Sequence, residues 1–180
     1  MSKLARLAAV LAAIALPVAA HASLPVGATA PGIVAKGAKG GKDIDFDLRS
    51  ALRRGPVVLY FYPKAFTQGC TLEAHAFAEA TDEFARYGAT VVGLSADDLP
   101  TLRKFSTEEC RDKFAVAVAS PATIKAYDVA LERKGVPAGM TDRTSYVIAP
   151  DGKIAFVHSE LDYRDHVKLT LEAVKKLAAK

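Results

Sequence analysis

"PVVLYFYPKAFTQGCTLEAHAFAEATDEFAR", residues 56–86, carries two different periodicities joined by a short break. Residues 56–62 form a nearly continuous apolar run rich in β-branched and aromatic side chains. That is the pattern of a strand buried on both faces. From Cys70 to Arg86, the residues Cys70, Ala74, Phe77, Thr81 and Phe84 recur at steps of three and four. This spacing predicts a helix with one buried stripe, and Gly88 suits its C-terminal stop. The break between them, "PKAFTQGC", ends on one of the chain's two cysteines.

Working outward, "ATVVGLS" (89–95) reads as a second buried strand. Asp98-Leu99-Pro100 opens a helix with Leu102, Phe105 and Cys110 on its inner side. "AVAVAS" (115–120) is a strand, and Pro121 to Asp128 a short helix. "RTSYVIA" (143–149) and "KIAFVHS" (153–159) flank Pro150-Asp151-Gly152, a hairpin turn. Val167, Leu171, Val174 and Ala178 mark a last helix. Residues 27–45, rich in Gly, Lys and Ala, read as an N-terminal segment with a short hairpin. Strands alternating with helices predict a mixed, mostly parallel sheet flanked by helices, with antiparallel pairing added by the closing hairpin. The expected fold is α/β, a thioredoxin-like sandwich.

With 180 residues, 51% hydrophobic and 24% charged, the chain suits one globular domain. Its net charge of +4 includes no Lys/Arg block, which gives no support to nucleic-acid binding. Residues 1–22 read as an export leader rather than part of the fold. Lys3 and Arg6 precede the apolar stretch Leu7–Ala19, and Ala20-His21-Ala22 fits a small-x-small cleavage site. The stretch is shorter than the roughly 20 apolar residues of a membrane span. The mature domain is expected over 23–180, in the periplasm or outside the cell, with 22 basic and 20 acidic residues and no membrane anchor.

Cys70 stands where a loop following a buried strand turns into a helix. Free backbone N–H groups and the dipole of a helix N-terminus both favour an anion, here the nucleophilic thiolate. Thr67 can donate a hydroxyl hydrogen bond to the sulfur or to an oxygen attacking it, or simply cap the helix. Pro63 restricts the loop and can shield the thiolate. Glu73 reads as a carboxylate complementing the helix dipole, and His75 as a solvated or core-edge histidine, since two ligands do not make a metal site.

"YFYPKAFTQGCTLEAHAF" resembles the peroxiredoxins, whose pattern is Pro-x-x-x-Thr/Ser-x-x-Cys, and within them the bacterioferritin comigratory (Q-type) branch. The likeness includes "VVGLSADD" and "DRTSYVIAPDGKI" and runs from about Gly27 to the C-terminus. It implies a thiol peroxidase acting on hydrogen peroxide and organic hydroperoxides, with no cofactor and no metal. Cys70 becomes the peroxidatic cysteine, Pro63 and Thr67 its pocket partners, and Arg143 the distant arginine facing the thiolate. Read without the resemblance, an arginine at a strand start is a solvated surface residue.

Many relatives place a second cysteine five residues after the first, where this chain has His75. The resemblance then leaves Cys110 to resolve a Cys70 sulfenic acid as an intramolecular disulfide. It implies a monomer recycled by a thioredoxin-like reductant, which export would require to be outside the cytosol. Two alternatives stay open: an exported thioredoxin-fold thiol-disulfide oxidoreductase, and a non-enzymatic copper-handling module with a structural disulfide. Such a disulfide would stabilise the fold by roughly 4 kcal/mol on a chain-entropy estimate. The first lacks a Cys-x-x-Cys motif.

Overall fold

Every residue of β3 (Val57–Phe61) is buried, and its side chains divide by period two between two cores. Val58 and Tyr60, followed by Tyr62, face one core; Val57, Leu59 and Phe61 face the other. The computed structural model describes residues 23–179, so the leader read over 1–22 lies outside the described residues. Around β3 stand β1 (Val34–Lys39), β2 (Lys42–Asp47), β4 (Thr90–Ser95), β5 (Ala115–Val118), β6 (Thr144–Ile148) and β7 (Ile154–Ser159). The helices are α1 (Leu48–Leu52), α2 (Gln68–Arg86), α3 (Leu99–Glu108), α4 (Pro121–Ala126) and α5 (His166–Ala178).

The strands form one sheet in the order β2-β1-β5-β4-β3-β6-β7. The core on one face takes Phe77 and Phe84 of α2, Leu102 and Phe105 of α3, and Val174 of α5. The opposite core takes Leu48 of α1, Ile124 of α4, and Tyr127. This is the thioredoxin-like sandwich expected from the element order. Antiparallel pairing is more extensive than strand–helix alternation suggests. Only β3–β4 and β4–β5 pair in parallel; β1–β2, β1–β5, β3–β6 and β6–β7 are antiparallel. Both flanks of the parallel centre are hairpins, antiparallel within themselves, and each also joins the centre antiparallel, through β1 on β5 and β6 on β3.

Local signals account for the boundaries. The Asp98 carboxylate accepts from the Thr101 N–H at 2.9 Å, and the Ser120 hydroxyl from the Thr123 N–H at 3.1 Å, each with a proline in the first turn. The β6–β7 turn closes through Gly152 N–H to the Ala149 carbonyl, with Gly152 at φ 83°. The Gly-rich N-terminal segment forms the β1–β2 hairpin, turning at Gly40-Gly41. Two details differ from the sequence reading. α1 was not anticipated, because five residues are too few to show a period; Asp47 caps it through the Arg49 N–H. Cys110 is not on the inner side of α3: the helix stops at Glu108 and Cys110 occupies the bend beyond it. Among the described residues no helix is long and apolar enough to cross a membrane.

Candidate active site

The site lies outside the carboxyl ends of β3 and β4, where open α/β sheets leave a crevice between connections. The chain leaves β3 through Tyr62, whose carbonyl accepts from Thr141 Oγ1 at 2.6 Å. The loop is then tied to β4: the Ala65 N–H donates to Asp97 Oδ2 at 2.7 Å, and the same oxygen accepts from Ser95 Oγ at 2.8 Å. Pro63 is half-buried in this loop, and Phe66 adopts φ 62°, a left-handed conformation unusual for a bulky residue. Thr67 takes the N-cap position of α2, and Cys70 follows as the third helical residue, 1% exposed.

Arg143, just before β6, is not the solvated residue its place in the sequence suggests; it is 5% exposed. Each nitrogen of its guanidinium has a separate partner. Nε donates to the Leu161 carbonyl at 2.7 Å, Nη1 to Glu73 Oε2, and Nη2 to Cys70 Sγ at 3.5 Å. Gly69 permits this approach: a Cβ there would lie 3.3 Å from Nη2. The guanidinium thus stands beside the sulfur, and the amide end of α2 lies beneath it. No side chain caps the first turn of α2.

Glu73 corrects the sequence reading. It sits in the second turn of α2, wholly buried, and serves Arg143 rather than the helix dipole. Burial pushes its carboxyl up to about 8, against the charge and hydrogen bond of Arg143. Burial also opposes the charge on Arg143, but Glu73 and Cys70 outweigh it and raise the guanidinium's pKa.

The structure thus joins Cys70 and Arg143 directly. Thr67 is on the rim, exposed, and its hydroxyl donates to the Lys64 carbonyl at 2.9 Å rather than to the sulfur or to an α2 amide. Cys110 is fully buried, and burial pushes its thiol well up. Both cysteines are free. They share a core with Tyr60 and Tyr62, whose rings stack on Phe77 (4.3 Å) and Phe105 (5.3 Å). His75 pairs with Glu109 at 2.7 Å, joining α2 to the end of α3. Among the described residues no three His, Cys, Asp or Glu side chains are grouped to hold a metal. A shallow pocket of about 410 Å³ lined by Gln68, Gly69, Leu72, Asp162, Tyr163 and Arg164 opens beside the α2 N-terminus. The roles of Asp97 and the Leu161 carbonyl escaped sequence reading, and Glu73 was read only as a dipole partner. A glutamate one helical step after Cys70 and an arginine distant in sequence were the only signals of the pair.

Comparison with known proteins identifies the family and the fold. The sequence model of the AhpC/TSA family matches residues 26–157. Peroxiredoxin Q, chloroplastic, of Oryza sativa subsp. japonica is 30% identical over 184 residues, covering 93% of this chain and 81% of the relative. Peroxiredoxin Bcp of Bacillus subtilis (strain 168) is 29% identical over 126 residues, covering 69% and 80%. Among solved structures, peroxidoxin BcpB from Mycobacterium tuberculosis superposes with a TM-score of 0.75 at 30% identity, covering 84% of this chain and 97% of that one. From its fold and these likenesses together, the chain belongs to the AhpC/TSA family and, within it, to the Bcp/PrxQ peroxiredoxins, which are thiol-dependent peroxidases.

Proposed function

We propose that Cys70 is the nucleophile that reduces hydrogen peroxide and organic hydroperoxides, and that Cys110 resolves the product. The observation that carries this is the Cys70 sulfur, buried at the amide end of α2 and 3.5 Å from Arg143 Nη2. The thiolate attacks the terminal peroxide oxygen and an S–O bond forms. The O–O bond breaks, its electron pair leaving on the second oxygen, which takes a proton and departs as water or an alcohol. Sulfur is oxidised to the sulfenic acid and the peroxide is reduced by two electrons. Arg143 supports the sulfur's charge and orients the peroxide, while Pro63 and Thr67 shape the loop that leads into α2.

Condensation of the sulfenic acid with the Cys110 thiol then forms a disulfide and releases water. A buried disulfide is out of reach of a protein reductant, so both segments have to open. Their backbones support this. Phe66 lies four residues before Cys70 at φ 62°, and Arg111 and Asp112 directly follow Cys110 at φ 50° and 59°. Such residues cost on the order of 1–3 kcal/mol each, a strain that unwinding releases. A thioredoxin-like dithiol donor completes the cycle.

Cys110→Ser is expected to react once with peroxide at the parent's rate and then stall with a thioredoxin-like donor. After one equivalent of peroxide, peptide mapping of the parent is expected to find a Cys70–Cys110 bridge within one chain. Full donor-driven turnover by Cys110→Ser would make this a one-cysteine enzyme.

The location of this activity follows from the leader-like residues 1–22, which support export and an exported donor. Intact-mass analysis of protein from its native host is expected to give a chain starting at Ser23. A chain retaining residues 1–22 would defeat the export reading.

A further inference from the structure

The residues 160–165, between β7 and α5, hold Arg143 through a backbone carbonyl, yet they have little to hold themselves. All but Tyr163 in this loop are exposed, and Leu161, whose carbonyl receives Arg143 Nε, is 39% exposed. Only Tyr163 is half-buried, so apolar burial holds little of the loop and none of it at Glu160–Leu161. Its internal ion pair, Arg164 with Asp162, faces solvent and adds little. An exposed loop positioning a buried guanidinium needs an anchor from inside the protein.

His166, the first residue of α5, is that anchor. Its ring is fully buried and both nitrogens are engaged. Nε2 lies 2.9 Å from the Glu160 carbonyl, and Nδ1 lies 2.8 Å from Ser145 Oγ on β6. A carbonyl only accepts, so Nε2 carries the proton and donates, and Nδ1 accepts from the Ser145 hydroxyl. The ring thus ties the sheet to the loop at Glu160, one residue before the carbonyl that holds Arg143. Nδ1 also stands 3.8 Å from Glu73 Oε1. With its lone pair filled by Ser145, it presents no proton there and leaves Glu73 to Arg143. The other groups facing the ring are His158 of β7, at 4.5 Å between ring centroids, and the charges of Arg143 and Asp162. Burial lowers the pKa of His166 to about 4, consistent with a neutral ring at working pH.

We propose that His166 is a positioning residue for the peroxide reaction: its Nε2–H fixes the Glu160–Leu161 turn, and through it the Arg143 guanidinium on Cys70 and Glu73. This rests on the reading of Cys70 and Arg143 as the reacting thiol and its partner.

Two amide substitutions separate the two bonds of the ring. Asn can reproduce the Nδ1 acceptor toward Ser145 but not reach the Glu160 carbonyl; Gln can reproduce the Nε2 donor. Reduced protein is mixed with hydrogen peroxide at one fixed pH, with the Cys70 thiolate absorbance recorded in parallel and folding checked by circular dichroism. His166→Asn is expected to react about tenfold more slowly, the effect of one lost hydrogen bond, and to show less thiolate. His166→Gln is expected to recover most of both. In an Arg143→Gln background His166→Asn is expected to cost nothing further, because its effect passes through Arg143. An equal loss in both backgrounds would mean a merely structural histidine and overturn the proposal. So would an unaffected His166→Asn beside an impaired Arg143→Gln, which leaves the reading of the site standing. If Arg143→Gln itself reacts like the parent, that reading falls and the proposal with it. Should His166→Asn not fold, Ser145→Ala frees the other side of the ring. Its expected smaller loss must likewise vanish without Arg143, and a loss that persists there overturns the proposal.

Discussion

Cys70→Ser is expected to abolish the fast consumption of peroxide by the reduced protein, a loss on the order of 10⁴-fold or more, the scale on which removal of an enzyme's nucleophile acts. The physical reason is the ionisation of the attacking atom. A serine hydroxyl in the same place remains protonated at neutral pH, whereas a thiol has an accessible, strongly nucleophilic anion, and here Arg143 Nη2 stands 3.5 Å from the sulfur. The second cysteine cannot substitute, since Cys110 is fully buried and its thiol is pushed well up. Competition for limiting hydrogen peroxide against a reference scavenger, with parent, Cys70→Ser and Cys110→Ser side by side, measures the difference. Cys110→Ser keeps the first turnover and Cys70→Ser does not. If Cys70→Ser consumed peroxide at the parent's rate, the nucleophile would lie elsewhere and the assignment of the whole site would fail.

Arg143 carries the second large effect. Arg143→Lys keeps a positive charge but cannot reach Leu161, Glu73 and Cys70 at once, because an ammonium lacks the planar fork. Peroxide turnover is expected to fall by about 10²–10³-fold, the range for loss of one preorganised donor in an active site. Unchanged kinetics in the folded variant would remove Arg143 from the reaction. Arg143→Gln adds a stability effect with a definite sign. The folded pKa of Glu73, about 8, is raised above its ordinary carboxyl value of 4.5. Its contribution to stability is therefore fully present below about pH 4.5 and is lost as pH rises toward about 8. Arg143 opposes that rise, so without it Glu73 holds its proton more strongly and the loss at alkaline pH deepens. Breaking a buried pair costs about 3–5 kcal/mol when the remaining charge is uncompensated. Denaturant unfolding of Arg143→Gln is expected to approach that deficit at alkaline pH and to show much less of it at pH 5. A deficit independent of pH would contradict the role given to Glu73.

The strand, loop and helix around Cys70 were legible in the chain because each rests on a local regularity. The all-apolar run at 56–62 and the stripe from Cys70 to Phe84 state their burial in their own spacing. Asp98, Pro121 and Gly152 state where helices begin and a hairpin turns. The motif ending at Cys70, with these elements around it, was sufficient to point to the family.

What surrounds the sulfur was decided by tertiary structure. Glu73 and Arg143 are 70 residues apart, and no periodicity reports that one helix face and one strand end will meet. Glu73 looked like a dipole partner because in sequence a buried and a solvated glutamate are the same letter. Burial appears only once β6 and the loop after β7 close over α2. Thr67 shows the converse: its spacing from Cys70 is that of the motif, yet its hydroxyl turns to the Lys64 carbonyl. Cys110 belonged in the sequence to a helical stripe, and only the end of α3 at Glu108 set it in a bend with left-handed residues behind it. Patterns along the chain determine what forms locally and which face is apolar, since those depend on neighbours within a turn or a pleat. Which charges meet across 70 residues, and which carbonyl of an exposed loop holds an arginine, depend on how the layers pack, and packing energies are summed over contacts that no single segment contains.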